Sequence, residues 1–176
     1  ASAGSAVSGV ETETTSTLTV QVDKPAGATV RKAYLSAATT GFSLATLADG
    51  DIQLNGQGVV FTTSVPSGID STNYWADVTS LVKSTIDGSP AGTVSLAVGE
   101  TDTANVDGEV LAVIFDDPGQ AVSNTIVLLF GAQQTTGDTF AIGLADPINK
   151  ADPNLKLDLS LGISYSFQGV VQYSQI

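Results

Sequence analysis

Acidic and amide side chains crowd the glycine- and proline-containing loops in the second half of this 176-residue chain. A hard cation such as Ca²⁺ binds about 6–8 oxygen atoms of carboxylates, amides and backbone carbonyls, and it needs neither imidazole nor thiolate. The chain has no His and no Cys, so its composition suits calcium and argues against zinc. A contiguous EF-hand loop does not fit, because the stretch that begins at Asn105 would need Glu where Ile114 stands. We therefore predict composite calcium sites built from separate loops.

Two such sites follow if residues 110–115 and 125–130 form an antiparallel hairpin and residues 139–144 pair beside it. The loops would then bring oxygen-rich groups to both ends of the sheet. One end would gather Asp116, Asp117, Asn124, Asp146, Asp152 and Asn154. The other end would gather Glu100, Asp102, Asp107, Glu109, Gln133 and Asp138. For any single one of these residues the alternative is a solvated turn, since Asp beside Gly or Pro is ordinary turn chemistry.

The residues that most enzymes depend on are missing or isolated. Without His, the chain lacks the commonest general base and the central member of a Ser-His-Asp triad. The S-x-x-K spacing of Ser80 and Lys83 falls inside a predicted helix and lacks its companion motifs. Paired carboxylates also serve glycosidases, but those clefts need aromatic platforms and only 6% of this chain is aromatic. We expect a protein that is not an enzyme.

Charge and hydropathy exclude two further classes of partner. The chain has 18 acidic and 6 basic residues, and its formal net charge is −12. This charge argues against binding to nucleic acid or to anionic membranes. No apolar run reaches the ~18 residues of a membrane span, so we expect no membrane insertion. The lack of Met indicates a domain taken from a longer polypeptide.

The spacing of apolar residues predicts an all-β fold, a β-sandwich with one or two short helices and calcium-binding loops. Residues 1–16 form a linker or a first strand, and residues 17–176 form a single β-rich domain. Turns are expected at Lys24–Gly27 and at Asn55-Gly56, and a helix is expected from Asp77 to Asp87-Gly88. The predicted strands span residues 17–22, 30–37, 93–98, 110–115, 125–130, 139–144, 157–161 and 163–167.

Several segments, in the same order, resemble the peptide-binding domain of the long RTX adhesins of Gram-negative bacteria. The main ones are DGEVLAVIFDDP at residues 107–118 and NTIVLLFGAQ at residues 124–133. Shorter segments that also fit are KPAGA at 24–28, VRKAY at 30–34, DVT at 77–79, DTF at 138–140 and LGISY at 161–165. The resemblance covers most of residues 20–168, and its specificity lies in the combination of segments.

This resemblance implies a calcium-dependent module that captures short peptides by their free C-terminal carboxylate. Its partners would be surface proteins of host cells or of biofilm members, and it would be an extracellular, monomeric domain within a long cell-surface chain. Calcium would coordinate the peptide carboxylate, which a chain of this negative charge would otherwise repel. We place the ligand-side ion with Asp107, Glu109, Gln133, Gln134 and Asp138. The other end would hold a structural ion.

Two alternatives to peptide capture remain at the level of the sequence. A lectin-like domain would use calcium to bridge sugar hydroxyl groups, but it would usually stack a ring on the sugar and this chain has few rings to spare. A spacer domain of an adhesin would use calcium only to stiffen the chain. Its ions would be fully coordinated by protein, whereas a ligand site would keep positions open.

Overall fold

The computed structural model describes residues 3–10, 17–121, 123–132, 134–136, 139–144 and 146–162. Within them the chain forms nine strands and one helix. The strands are β1 (Ala3–Val10), β2 (Thr17–Lys24), β3 (Thr29–Thr39), β4 (Ile52–Leu54), β5 (Gln57–Gly58), β6 (Thr63–Pro66), β7 (Thr72–Asp77), β8 (Gly92–Glu100) and β9 (Val106–Asp116). The helix, α1, spans Thr79–Gly88. The predicted linker or first strand therefore contains a strand, β1.

Two antiparallel sheets enclose one core, which confirms the predicted all-β, sandwich-like fold. The first sheet has five strands in the order β1-β9-β3-β7-β6, and the second has four in the order β2-β8-β4-β5. Every second residue of the central strands points inward, as the pleat of a strand requires. Most inward positions of β2, β3, β8 and β9 are apolar, and these apolar side chains pack into a single cluster.

Both turns that the sequence predicts are present. Asn55 and Gly56 join β4 to β5 with φ angles of 49° and 76°. Two consecutive positive φ values are the signature of a tight primed hairpin turn, which favours Asn-Gly. At the end of β2, the Ala28 N–H donates to the Pro25 carbonyl at 3.2 Å, and Gly27 has φ 73°.

Helix α1 covers the beginning of β3, where β3 is not yet paired with β7. Its Val82 and Ile86 side chains are buried in the core. Polar side chains of the helix form hydrogen bonds with the β3 backbone. The Val30 N–H donates to Asp87 Oδ1 at 2.7 Å, and Lys83 Nζ donates to the Val30 carbonyl. Asp87, at the predicted end of the helix, therefore ties the helix to the sheet.

The predicted hairpin between residues 110–115 and 125–130 is wrong. Strand β9 pairs with β1 on one side and with β3 on the other, so neither edge is open to a further strand. Residues 125–130, 139–144 and 157–161 form no strands. The first of these segments is rich in β-forming residues, and the other two alternate large apolar residues with small or polar ones. The predicted strand at residues 163–167 lies outside the described part of the chain.

The described residues of 117–162 follow β9 and contain no strand, and we call them the strand-free segment. Part of this segment lies on the outer face of the five-stranded sheet. The Phe130 ring lies 5.2 Å from the Trp75 ring, which stacks on Tyr34 at 5.1 Å. The Asn73 side chain donates to the Gly131 carbonyl at 2.6 Å. These contacts anchor residues 130–131 to β3 and β7.

Among the residues that the structure describes, no helix is long and apolar enough to cross a membrane.

Candidate functional site

The candidate site lies inside one end of the sandwich, where β8 ends and β9 begins. In β8 the inward positions are Val94, Leu96, Val98 and Glu100. In β9 they are Glu109, Leu111, Val113 and Phe115. The alternation of each strand therefore places a carboxylate where the pattern calls for a core residue. One carboxylate comes from each sheet, and both enter the space between the sheets.

Both glutamates are closed to water. Glu100 is 6% exposed and Glu109 is 2% exposed. Apart from the hydrogen bond that the two carboxyls can share when one is protonated, none of their four oxygens has a hydrogen-bond donor among the described residues. Buried carboxylates are normally paired with a cation or with donors, because removing an unpaired charge from water costs several kcal/mol. When both carboxyls are ionised, no described cation or hydrogen-bond donor offsets the cost of burying their charge.

The pKa of each group reflects this setting. Burial raises the pKa of Glu109 to about 9, and the neighbouring charge of Glu100 and a hydrogen bond with it act in the same direction. Burial also raises the pKa of Glu100 to about 7, although a hydrogen bond from a protonated Glu109 opposes this and the charge of Asp102 adds to it. Without a cation, the pair therefore holds a proton at neutral pH.

Asp107 lies two residues before Glu109, at an irregularity in β9. Ala38 faces Gly108 and Thr39 faces Val106, so Asp107 is the extra residue of a β-bulge. Gly108 has φ 122°, which a side-chain-bearing residue rarely adopts. The bulge leaves Asp107 buried at 9% exposure and Glu109 facing the core.

Asp102 belongs to the rim of this end, in the loop from β8 to β9. It is exposed, and its Oδ2 accepts a hydrogen bond of 2.6 Å from the Asn105 side chain. Its charge contributes to the raised pKa of Glu100, so it lies close to the buried pair. Gln134 is also exposed and lies so close to Gly68 that a Cβ there would meet its Oε1 at 2.6 Å.

Loop contacts link these rim residues to one another. The Thr40 N–H donates to the Asn105 carbonyl at 3.1 Å, and the Phe42 N–H donates to the Ile69 carbonyl at 2.7 Å. The loops 40–47, 67–71 and 101–105 therefore close one end of the sandwich, which we call the acidic end. Of the residues predicted here, the structure brings Glu100, Asp102 and Glu109 near one another, and Asp107 lies in the bulge two residues before Glu109. Gln133 and Asp138 lie outside the described residues.

Two of the residues predicted for the other calcium site, Asp116 and Asp117, form hydrogen bonds with neighbouring protein groups. Asp116, at the end of β9, accepts a hydrogen bond of 2.7 Å from Arg31 Nε and forms an ion pair with the same guanidinium. Asp117 is buried, and its Oδ1 accepts from the Gly119 N–H at 2.8 Å. An ion pair and a local turn account for these two side chains.

Asp146, Asp152 and Asn154 are exposed residues of the strand-free segment. Asp152 Oδ1 accepts from the Asn154 N–H at 2.8 Å, and the Asp152 N–H donates to the Asn149 carbonyl at 3.1 Å. These bonds are local turn contacts, of the kind that the sequence offered as the alternative to a metal site. Their role as calcium ligands stays a prediction.

The carboxylate oxygens of the acidic end are of the type that binds a hard cation, but they are too few to form a whole coordination shell. Glutamate oxygens with no donor are the ligands that Ca²⁺ takes. Within the described ranges, however, no group of three or more His, Cys, Asp or Glu side chains is placed to hold a metal ion. Glu100 and Glu109 would be the two carboxylate ligands, and backbone carbonyls would complete the shell.

No model of a known protein family, no curated protein and no solved structure matches this chain.

Proposed function

We propose that this chain is a non-catalytic, calcium-dependent peptide-binding module of a bacterial cell-surface adhesin, and that it works outside the cell. The calcium dependence rests on one observation, the buried pair Glu100 and Glu109, to whose oxygens no other described residue donates a hydrogen bond. Such a pair stays fully ionised at neutral pH only with a cation beside it. The adhesin and peptide parts rest on the sequence resemblance of residues 20–168.

Charge supports capture of a carboxylate through a metal ion. With a net charge of −12, the chain repels the carboxylate of a peptide C-terminus. A bound calcium ion would be the largest local charge and would reverse this repulsion. Glu109 is closed to solvent, so the ion that meets a peptide would be held by exposed groups of the acidic end, namely Asp102 and Gln134.

Titration calorimetry with short peptides tests this function. The peptides are added to the chain in calcium and then in chelator, each with a free C-terminus and again as the C-terminal amide. We expect heat only for the free carboxylate in calcium. Asp102→Asn should weaken binding by about tenfold, whereas Asp23→Asn, an exposed change at the opposite end of β2, should not. Binding of the amide, or binding in chelator, would contradict carboxylate capture.

A spacer is the second candidate, and the enclosure of Glu109 at 2% exposure favours it. An ion held only by groups closed to water has no open position for a ligand, so it would serve stability alone. A calcium-dependent rise in Tm with no peptide heat under any condition would identify the spacer.

A further inference from the structure

Glu100 and Glu109 are the inward residues at the same end of two different sheets. Glu100 belongs to β8 of the four-stranded sheet and pairs in register with Ile52, and Glu109 belongs to β9 of the five-stranded sheet and pairs with Ala37. Their strands are connected directly only by the loop at residues 101–105. A group bonded to both carboxylates would therefore join the two sheets across the core.

The described cations of the strands and the helix lie at the opposite end. Arg31 pairs with Asp116, Lys32 with Asp77 and Lys83 with Asp87, all near the beginning of β3. Lys24, at the end of β2, donates to the carbonyls of Asp87 and Ser89 at 2.9 and 2.7 Å. Lys150 and Lys156 are exposed residues of the strand-free segment.

Because these basic groups are committed elsewhere or lie in solvent, what neutralises the pair must come from solution. A proton does so in acid, and a hard divalent cation does so at neutral pH. The enclosure at 6% and 2% exposure favours Ca²⁺ over Mg²⁺, because Mg²⁺ dehydrates reluctantly and usually keeps several waters.

We propose that a calcium ion held between Glu100 and Glu109 clamps the two sheets together and serves folding, without touching the ligand. This inference builds on the calcium dependence of the proposed function, and it separates the buried ion from any ion that meets a peptide. The buried ion binds the folded chain and not the unfolded chain, so it stabilises the fold by mass action.

The test compares the whole chain with the double variant Glu100→Gln/Glu109→Gln. Amides of the same size remove both charges and retain hydrogen-bonding groups. Thermal unfolding is followed at neutral pH in calcium and in chelator. We expect calcium to raise the Tm of the wild type by about 5–10 °C at 100-fold excess over Kd, and to leave the Tm of the double variant unchanged. The matched control is Asp102→Asn, an exposed neighbour, which should keep most of the calcium response.

The outcomes separate the clamp from peptide binding. A full calcium response in the double variant, or none in the wild type, overturns the clamp even if peptides bind. A response lost only in the double variant supports the clamp even if no peptide binds, and then the proposed peptide function fails alone. If the double variant does not fold, hydrogen exchange of the wild type decides. Calcium should then slow exchange most at residues 98–100 and 108–110, and a uniform or absent change overturns the clamp.

Discussion

Without calcium, stability should fall as the pH rises from 5 to 8. In the fold the pKa of Glu109 is raised to about 9 and that of Glu100 to about 7, from an ordinary value of 4.5. Above pH 4.5 the folded chain therefore holds more protons than the unfolded chain, and the free energy of unfolding decreases with pH. The contribution of the protonated pair to the free energy of unfolding is complete below pH 4.5. It is lost as the pH rises through the pKa values of the folded chain, about 7 and about 9.

The expected size of this effect is large for a single pair. Each unit of pKa shift corresponds to about 1.4 kcal/mol. Because the pKa values of Glu100 and Glu109 are both raised, the free energy of unfolding of the calcium-free chain should fall by several kcal/mol, as an order of magnitude, by pH 8. For a chain of this length, this is a fall in Tm of roughly 10 °C.

Other shifted carboxyls act in a different range of pH. Partial burial acts to raise the pKa of Asp87, but hydrogen bonds from Lys83 and from the Val30 N–H lower it overall. The same balance, with Lys32 and Thr79 as donors, lowers the pKa of Asp77. Their stabilisation is present above their ordinary pKa of 3.8 and is lost only at lower pH.

Calorimetric Tm values at pH 5, 6, 7 and 8 in chelator provide the assay. The wild type should lose stability across this range, and the Glu100→Gln/Glu109→Gln variant should show little slope. In calcium the wild-type slope should flatten, because the ion takes the place of the proton. A wild-type Tm in chelator that is constant or rises from pH 5 to 8 would refute the interpretation of the pair.

Three substitutions test local parts of the fold by chemical denaturation. Asp87→Ala should lower the free energy of unfolding by about 1–3 kcal/mol, because it leaves the Val30 N–H without its acceptor; an unchanged midpoint would contradict this tie. Asn55→Ala should lower the free energy of unfolding by about 1–2 kcal/mol, since Asn55 has φ 49° and its Oδ1 accepts a hydrogen bond from the Ala97 N–H. An unchanged free energy of unfolding would count against this role of Asn55 in the turn. Leu44→Asn should raise stability by about 0.5–1 kcal/mol, because Leu44 is 76% exposed at φ 56°, which Asn tolerates better; a loss would show that the Leu44 side chain contributes to packing.

The sequence predicts well where local chemistry decides. The Asn55-Gly56 turn, the helix ending at Gly88 and the alternating strands β2, β3, β8 and β9 are all present. The predicted strand at residues 125–130 failed for a non-local reason. Richness in β-forming residues shows that a segment is suited to a sheet but not which edge is open, and β1 and β3 already occupy both edges of β9.

The candidate site was predicted in part. Glu100 and Glu109 were expected among calcium ligands, but as loop residues at the rim. Their inward direction could have been found by counting in twos from Val98 and from Leu111, which places each glutamate on the core face. The bulge at Asp107 could not, because it depends on how β9 pairs with β3.

Calcium titration calorimetry on the wild-type chain at pH 8, in two buffers of different ionisation enthalpy, shows whether the Glu100–Glu109 pair binds the ion. We predict calcium binding with release of about one proton, because the pKa of Glu109 near 9 leaves it protonated in the calcium-free fold. The apparent heat should therefore differ between the two buffers. Absence of calcium binding, or binding with the same heat in both buffers, would contradict a calcium ion held by the Glu100–Glu109 pair.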